Sequence, residues 1–445
     1  MSLDLKRAAS QPITSVDMLV AGFRAAEKPR GELRLGLEHE KLLYPVGSAK
    51  PVPYEGDAGV GALLSRLAPA GYTPFRETPD SPIIALQRGH LTISLEPGGQ
   101  LELSGSPFRT AREAHAENLA HLDEVKAVAR ALGLHVVTLG YRPTGTTADM
   151  PWMPKSRYLV MRRTLPERGR LALNMMLMTA TGQVSLDWTD EEDCVRKTVV
   201  VARLAPLMNA LYANSPLLEG KPSGYLSFRN RVWDEVDPTR CGYLPAFFDG
   251  SFSYRAYVEW ALDAPLLFLR RNGEYLHPKL SFRQLMKEGF AGQPPDLDDW
   301  TDHLSTLFPE VRLKKVLEVR GADCVNAAMT GALAALWRGI LYDATALDEA
   351  ERLLPKLSYD EHRAFHDTAR REGLEGRLGS QPLHRLAAEM VEIARRGLRR
   401  LDAEDAPLLD SLAEVAASGR SPARAVLEAW EKDPRPEAVL ARFAL

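Results

Sequence analysis

The chain has 445 residues, 45% of them hydrophobic and 26% charged, an ordinary globular composition with material for a large core. Its 56 basic and 59 acidic residues leave a net charge of −3, so neither a nucleic-acid surface nor a disordered acidic tail is expected.

Residues 14–28 place Met18, Leu19, Phe23 and Ala26 near one face and predict a helix. Residues 32–44 alternate as a strand does. Residues 83–104 alternate too, interrupted by "PGG", where glycine permits a bulge. Residues 108–132 predict a helix on Ala111, Ala114, Leu119, Leu122, Val125 and Ala129, stopped by Gly133. "LHVVTLGYRP" reads as a short strand. The Met/Leu-rich stretch 171–178 leads into "TATGQVSLDW", which alternates again. Residues 190–213 predict a helix with Asp190, Glu191 and Glu192 at its favourable N-terminal end. Residues 214–254 are rich in Gly, Pro, Asn and Asp, a long turn-rich region of the kind that carries function. "VRLKKVLEVRGAD", Val311 to Asp323, alternates once more. From about residue 325 the chain reads as helix, with Arg395, Arg396, Arg399 and Arg400 as a solvated basic face. No repeat, low-complexity segment or linker interrupts it. The expectation is one α+β domain with a mostly antiparallel sheet: residues 1–340 form the sheet and its helices, and 341–445 a helical extension packed on them.

Three widely spaced cysteines, Cys194, Cys241 and Cys324, include no CxxC and suggest a reducing compartment rather than a disulfide framework. Cys241, in the turn-rich region, is read as a packed thiol. The N-terminal stretch has no apolar run of signal-peptide length, and nowhere do 18 consecutive apolar residues occur. A cytoplasmic protein without membrane contact is expected.

The strands carry acids. In residues 33–42, Leu33, Leu35 and Leu37 share one face, while Arg34, Glu38 and Glu40 share the other. His39 and Lys41 fall with the leucines, and His39 is read as structural. In "LTISLEPGGQLELSG", Leu91, Ile93, Leu95, Leu101 and Leu103 oppose Glu96, Gln100 and Glu102. In "TATGQVSLDW", Gln183 and Asp187 oppose Val184 and Leu186. In "VRLKKVLEVRGAD", Leu313, Leu317 and Val319 oppose Lys314, Glu318 and Arg320. Any one of these is readily an amphipathic edge facing water. If the strands pair in one sheet, Glu38, Glu40, Glu96, Glu102 and Glu318 collect on one surface and raise one another's pKa unless cations neutralise them. Hard divalent cations take such oxygen ligands, and Mg²⁺ takes a few carboxylates plus waters and phosphates. That points to a Mg-nucleotide site on a sheet. No phosphate-binding G-x-x-x-x-G-K-[ST] loop, G-x-G-x-x-G turn or G-x-S-x-G elbow is present. Cations for phosphate or carboxylate occur in "MPKSRYLVMRR" (Lys155, Arg157, Arg162) and "EGKPSGYLSFRNRVW" (Lys221, Arg229, Arg231).

Taken in order, "LGLEHEKLLYP", "ISLEPGGQLELSGSP", "MPKSRYLVMR", "GQVSLD", "NSPLLEGKPSGYLSFRNRVW", "LPAFFDGSF" and "FPEVRLKKVLEVRGAD" resemble the plant-type glutamate–cysteine ligases, a group also common in bacteria. The matches run over about residues 30–345. The resemblance implies a glutamine-synthetase-like fold, with a curved antiparallel sheet flooring the site. It implies ATP-dependent joining of the glutamate γ-carboxylate to the cysteine α-amine, with Mg²⁺ as metal and ATP as co-substrate. It puts the metal on Glu38, Glu40, Glu96, Glu102 and Glu318. Arg157 and Arg229 then belong to the substrate and phosphate pocket, Arg320 meets the transferred phosphate, and Gln183 and Lys155 assist. Partners are small molecules (glutamate, cysteine, ATP), in a monomer or homodimer. After "RGAD" the sequence departs from the Gly/Pro/Trp-containing run of plant-like members and reads "CVNAAMTGALAALW", which leaves the amine open, and the plant regulatory disulfides are not expected. The rivals are a same-fold ligase for another amine, a non-catalytic binding protein, and a metal-dependent hydrolase.

Overall fold

The computed structural model describes residues 10–445; residues 1–9, part of the stretch read for a signal peptide, lie outside it. A nine-stranded sheet is the centre of the molecule. Its strands, in chain order, are β1 (Leu35–Pro45), β2 (Thr73–Phe75), β3 (Ala85–Arg88), β4 (Leu91–Leu95), β5 (Leu101–Ser104), β6 (Leu134–Val137), β7 (Thr181–Leu186), β8 (Val311–Leu313) and β9 (Leu317–Asp323). The spatial order is β8-β9-β7-β1-β5-β4-β3-β2, with β6 also on β1, and every pairing is antiparallel. β1 pairs three ways along its length: Leu35–His39 with β7, Glu38–Lys41 with β5 and Leu42–Pro45 with β6.

Two segments read as single strands are hairpins. The "PGG" insert reverses the chain instead of bulging it, so Ser94 faces Glu102 and Leu95 faces Leu101. Gly99 takes φ +83°, and a Cβ on Gly98 would sit 2.3 Å from the Leu177 carbonyl oxygen, so both glycines are required there. "VRLKKVLEVRGAD" turns at residues 314–316, which brings Arg312 opposite Glu318. Register then shifts between Val319 and Ala322, so Arg320 lies on a bulge, a device that re-aims a side chain.

Behind the sheet lie helices Ala111–Ala131, Glu191–Tyr212 and Ala327–Leu341. The first begins with a Thr110–Glu113 capping box and the second with Asp190 bonded to the Asp193 amide. Leu35 and Leu37 of β1 and Val184 and Leu186 of β7 are buried against this layer. Each such side chain contributes about 1.5–3 kcal/mol on leaving water. The same inward face of β1 buries His39 and Lys41. His39 Nδ1 lies 3.1 Å from Asn118 Oδ1 and Nε2 3.1 Å from the Val325 carbonyl, while Lys41 Nζ donates to the His39 carbonyl (2.6 Å) and meets His121 Nε2 (2.9 Å).

The C-terminal helices form a second layer on the first. Helix Leu383–Leu401 crosses Ala327–Leu341 where Gly397 meets Gly339; a Cβ on Gly397 would lie 2.0 Å from the Gly339 oxygen. Asp405, fully buried, accepts from the Ala111 amide (2.8 Å), the Arg112 amide (3.1 Å) and Arg338 Nη1 (2.9 Å), placing a negative charge at a helix N-terminus. The arginine face reaches solvent at Arg399 and Arg400, and three of its members are also ion-paired: Arg395 with Asp410, Arg396 with Glu349 and Arg400 with Asp343. The last residues return to β6, where the Leu445 amide donates to the Val136 carbonyl (2.9 Å) and the Thr138 amide to the Phe443 carbonyl (3.4 Å). No helix among the described residues is long and apolar enough to cross a membrane.

Candidate active site

The sheet face opposite the helices brings the expected acids together. Glu40 stands directly across from Glu102, Glu38 across from Gln183, and Glu318 across from Ser185. Glu96 follows β4 at the hairpin turn. That turn is clamped from beneath: Gln100 Nε2 donates to the carbonyls of Met176 (3.2 Å) and Thr179 (2.8 Å), and buried Arg142 donates to Gly98 (2.8 Å) and Leu177 (3.2 Å). Lys155 Nζ and Tyr158 Oη both donate to the Leu95 carbonyl, at 2.5 and 2.7 Å, which seats the Ser156–Thr164 helix beside Glu96.

The acids do not titrate alike. Burial pushes Glu38 up to about 7, with Glu102 and Glu318 adding to it. Burial pushes Glu96 to about 7 as well, helped by Glu102. Glu40 is raised well above the carboxylate range by burial and by Glu96, although the Thr181 amide donates to it at 3.0 Å. Glu102 and Glu318 depart from the expected mutual rise. For Glu102, burial is outweighed by the Ser104 hydroxyl at 2.7 Å, with the Ser94 hydroxyl 3.2 Å away. For Glu318, burial is outweighed by Arg312 (2.5 Å), Lys314 (2.5 Å) and Arg320 (3.4 Å). The row is therefore three protonatable acids and two held ionised, the pattern that crowded carboxylates adopt.

Two cavities open on this face. The smaller, about 90 Å³, is lined by Glu40, Glu96, Arg157, Gln183, Arg229 and Arg320, with methionines and aromatics completing the wall. The larger, about 680 Å³, has apolar walls including Phe23, Phe75, Ile84 and Trp300, and a cationic side of Lys155, Arg157, Lys314 and Lys315. Arg157, Phe268 and Ser305 line both. Glu318 is bonded to Lys314 on the larger cavity and to Arg320 on the smaller, so it stands between them.

The cations divide by what already holds them. Arg320 Nη1 donates to Gln183 Oε1 at 2.7 Å, and burial beside Arg312 brings its guanidinium down to about 10. Arg229 borders the smaller cavity, yet Nη1 donates to the Gly321 carbonyl (3.2 Å) and Nη2 to the Arg320 carbonyl (2.9 Å), so its bonds fasten the bulge that carries Arg320. Burial and Arg157 lower Lys155 to about 8. Arg162 is exposed over the Trp152 ring, Lys221 is exposed, and Arg231 pairs with Glu235; none of these three lines either cavity.

The segment "CVNAAMTGALAALW", residues 324–337, whose departure from the plant-like pattern left the amine open, lines neither cavity. It supplies most of the buried helix behind the sheet, and Val325 bonds His39 on the inward face. Cys241 is half-buried, and burial pushes its thiol up to about 12; all three cysteines are free. Sequence reasoning missed Arg312, Arg142 and Asp323. The fully buried Asp323 carboxylate accepts from the Asn214 amide (2.8 Å) and the hydroxyls of Ser215 (2.6 Å) and Ser227 (2.9 Å), tying the turn-rich region to the end of β9. The hairpin in residues 311–323 is the signal that would have found Arg312. Nothing local marks the other two.

The donors fit Mg²⁺ in kind: carboxylate oxygens alone, with His39 turned away on the other face. Among the described residues no three His, Cys, Asp or Glu side chains converge closely enough to cage an ion unaided. That suits a cation whose remaining ligands are water and phosphate. Acids and arginines gathered on one sheet face, beside a second cavity with a cationic side, suit the activation of a carboxylate with a nucleotide.

Comparison with known proteins specifies the kind. The profile of glutamate–cysteine ligase family 2 matches residues 34–441, and the chain belongs to that family. It is 39% identical over 426 residues to the chloroplastic glutamate–cysteine ligase of Nicotiana tabacum, covering 95% of this chain and 81% of that one. It is 38% identical over 426 residues to the chloroplastic enzyme of Arabidopsis thaliana, with the same coverage. The crystal structure of glutamate–cysteine ligase from Francisella tularensis in complex with AMP superposes with TM-score 0.53 at 13% identity, covering 92% of this chain and 87% of that one. The fold is the expected α+β one built on an antiparallel sheet, and it is shared with that ligase.

Proposed function

We propose that this protein uses ATP to join the γ-carboxylate of glutamate to the α-amine of cysteine, giving γ-glutamylcysteine, ADP and phosphate, the first step of glutathione synthesis. The observation that carries this reading is the set of acids gathered on one sheet face, of which Glu40 and Glu96 line the smaller cavity together with Arg157, Arg229 and Arg320. The larger cavity takes ATP, with its purine on the apolar wall and its phosphates toward Lys155, Arg157, Lys314 and Lys315. The smaller takes the amino acids, with Arg157 and Arg320 placed for carboxylate oxygens.

A free carboxylate is a poor acyl donor because oxide leaves badly. A γ-carboxylate oxygen attacks the terminal phosphorus, ADP departs, and the carboxylate becomes an acyl phosphate. The amine then attacks the acyl carbon and phosphate departs. Such in-line transfer asks the protein mainly for position and charge. Arg320, aimed by the bulge and steadied by Gln183 and Arg229, faces charge developing on the transferred phosphoryl oxygens. Glu38, Glu40, Glu96, Glu102 and Glu318 are the residues that would hold Mg²⁺, together with water and phosphate oxygens, and the bound ion would offset phosphate charge.

The test is ADP release from the purified protein with ATP, Mg²⁺ and glutamate, adding one amine at a time. Cysteine-dependent release with γ-glutamylcysteine as product is expected. Strong turnover with another amine and none with cysteine would overturn the choice of amine, and no release with any amine would overturn the ligase reading.

A further inference from the structure

Glu318 has three cationic partners, and they are not equivalent. Arg312 Nε lies 2.5 Å from Oε2, and its Nη1 also donates to the carbonyls of Ser305 (3.3 Å) and Leu307 (3.1 Å). Arg320, 3.4 Å from the same oxygen, is fixed by Gln183 at 2.7 Å and stands on the bulge that Arg229 fastens. Both guanidiniums are therefore pinned by bonds other than that to Glu318. Lys314 Nζ lies 2.5 Å from Oε1, and its ammonium has no other hydrogen-bond partner among the described residues. Its side chain is 28% exposed, at the tip of the β8–β9 hairpin, and it lines the larger cavity.

A cation approaching this face meets a buried carboxylate of which one oxygen, Oε1, is already occupied by an ammonium. Two like charges cannot share one oxygen in a poorly screened site. Arg312 and Arg320 have no freedom to leave, whereas a lysine is a point charge on a long flexible stem. The cavity beside it already gathers Lys155, Arg157 and Lys315. Of the acids on that wall, Glu77 is engaged by the Ser156 amide and hydroxyl, Asp302 is paired with Arg270, and Asp298 is not without a partner. A further ammonium turned into that group of cations is matched by a multiply charged anion of the oligophosphate class.

We propose that Lys314 is an exchangeable counter-ion: it neutralises Glu318 in the ligand-free site, leaves when a divalent cation takes Glu318 Oε1, and turns into the larger cavity to meet the nucleotide's phosphates. This rests on the reading of the acid row as a metal–nucleotide site. It makes one side chain oppose metal binding and favour nucleotide binding, a pairing that neither a structural lysine nor a simple phosphate ligand has.

The test uses the full chain and Lys314→Met, with thermal unfolding to verify that the variant is folded. Mn²⁺ binding is titrated without nucleotide, and binding of a non-hydrolysable ATP analogue is titrated with Mg²⁺. Lys314→Met is expected to bind Mn²⁺ at least about fivefold more tightly and the analogue at least about fivefold more weakly, the lower end of ordinary site-to-site coupling. Unchanged or weaker Mn²⁺ binding in the variant overturns the exchange, as does unchanged affinity for the analogue. Failure of both proteins to bind Mn²⁺ instead overturns the metal reading, and the exchange falls with it.

Discussion

Glu102 and Glu318 look alike in the sequence, as acids on one strand face, and differ in what they hold. Glu102 accepts from two serine hydroxyls, and Glu318 balances two arginines and a lysine. Replacing either by glutamine removes a charge from the reaction centre, and turnover is expected to fall by on the order of 10²–10³-fold in both, the scale of losing one preorganised electrostatic group. Stability separates them. Glu318→Gln leaves Arg312 and Arg320 facing each other without a counter-charge and is expected to cost about 3–5 kcal/mol. Glu102→Gln keeps one acceptor oxygen, leaves no arginine unpaired and is expected to cost about 1 kcal/mol. Steady-state rates with denaturant unfolding check both; equal destabilisation would mean that the arginines find another anion. At this scale the sequence was informative wherever side-chain alternation sufficed: Glu38 and Glu40 sort from His39 and Lys41 by parity alone. It was silent on Arg142 and Asp323, whose partners come from distant segments.

Hairpins decide the site at the scale of elements. A bulge and a reversal both call for glycine and leave the same alternation on either side, so "PGG" did not announce which it would be. The turn at Lys314–Val316 contains no Gly, Pro, Asn or Asp, and its strands are short, so residues 311–323 read as one strand. Likewise, nothing in the arginines of Leu383–Leu401 announces that Asp343 and Glu349 pair with them at the surface. The glycine-98 turn gives a direct test. Gly98→Ala drives a Cβ into the Leu177 oxygen, and the strand must shift or the turn must open. A loss of about 1–3 kcal/mol is expected, with weaker metal binding because Glu96 moves with the turn. Wild-type stability together with wild-type metal affinity would show the clamp to be slack.

The molecule as a whole contains buried imidazoles that respond to acid. His303 Nε2 bonds the Ala261 carbonyl at 2.7 Å, and burial holds its pKa down to about 3 against 6.5 unfolded; His362 is lowered to about 4, again by burial. Below pH 6.5 the unfolded chain takes up these protons and the folded one does not. Stability is therefore complete above pH 6.5 and falls as pH drops toward 3, by about 1.4 kcal/mol per pH unit for one such histidine. Glu38 and Glu96, raised to about 7, pull the other way between pH 7 and 4.5 without metal. The comparison must then be between wild type and His303→Asn, in which the acids cancel. The wild-type slope is expected to be steeper by about that amount between pH 6 and 4. Parallel slopes would mean that the ring is charged in the folded protein.

The return of the chain to β6 has a consequence for association. A sheet edge with unpaired amides recruits strands from other molecules, and proteins avoid this by covering it. Here the cover is the tail itself, with Leu445 and Phe443 bonded to Val136 and Thr138. Deleting residues 436–445 leaves the acid row and both cavities intact but bares that edge. Specific activity at low concentration is expected to persist, while light scattering grows with concentration and time. A deletion variant that stays clear at high concentration would show that β6 is too short or too twisted to recruit a partner.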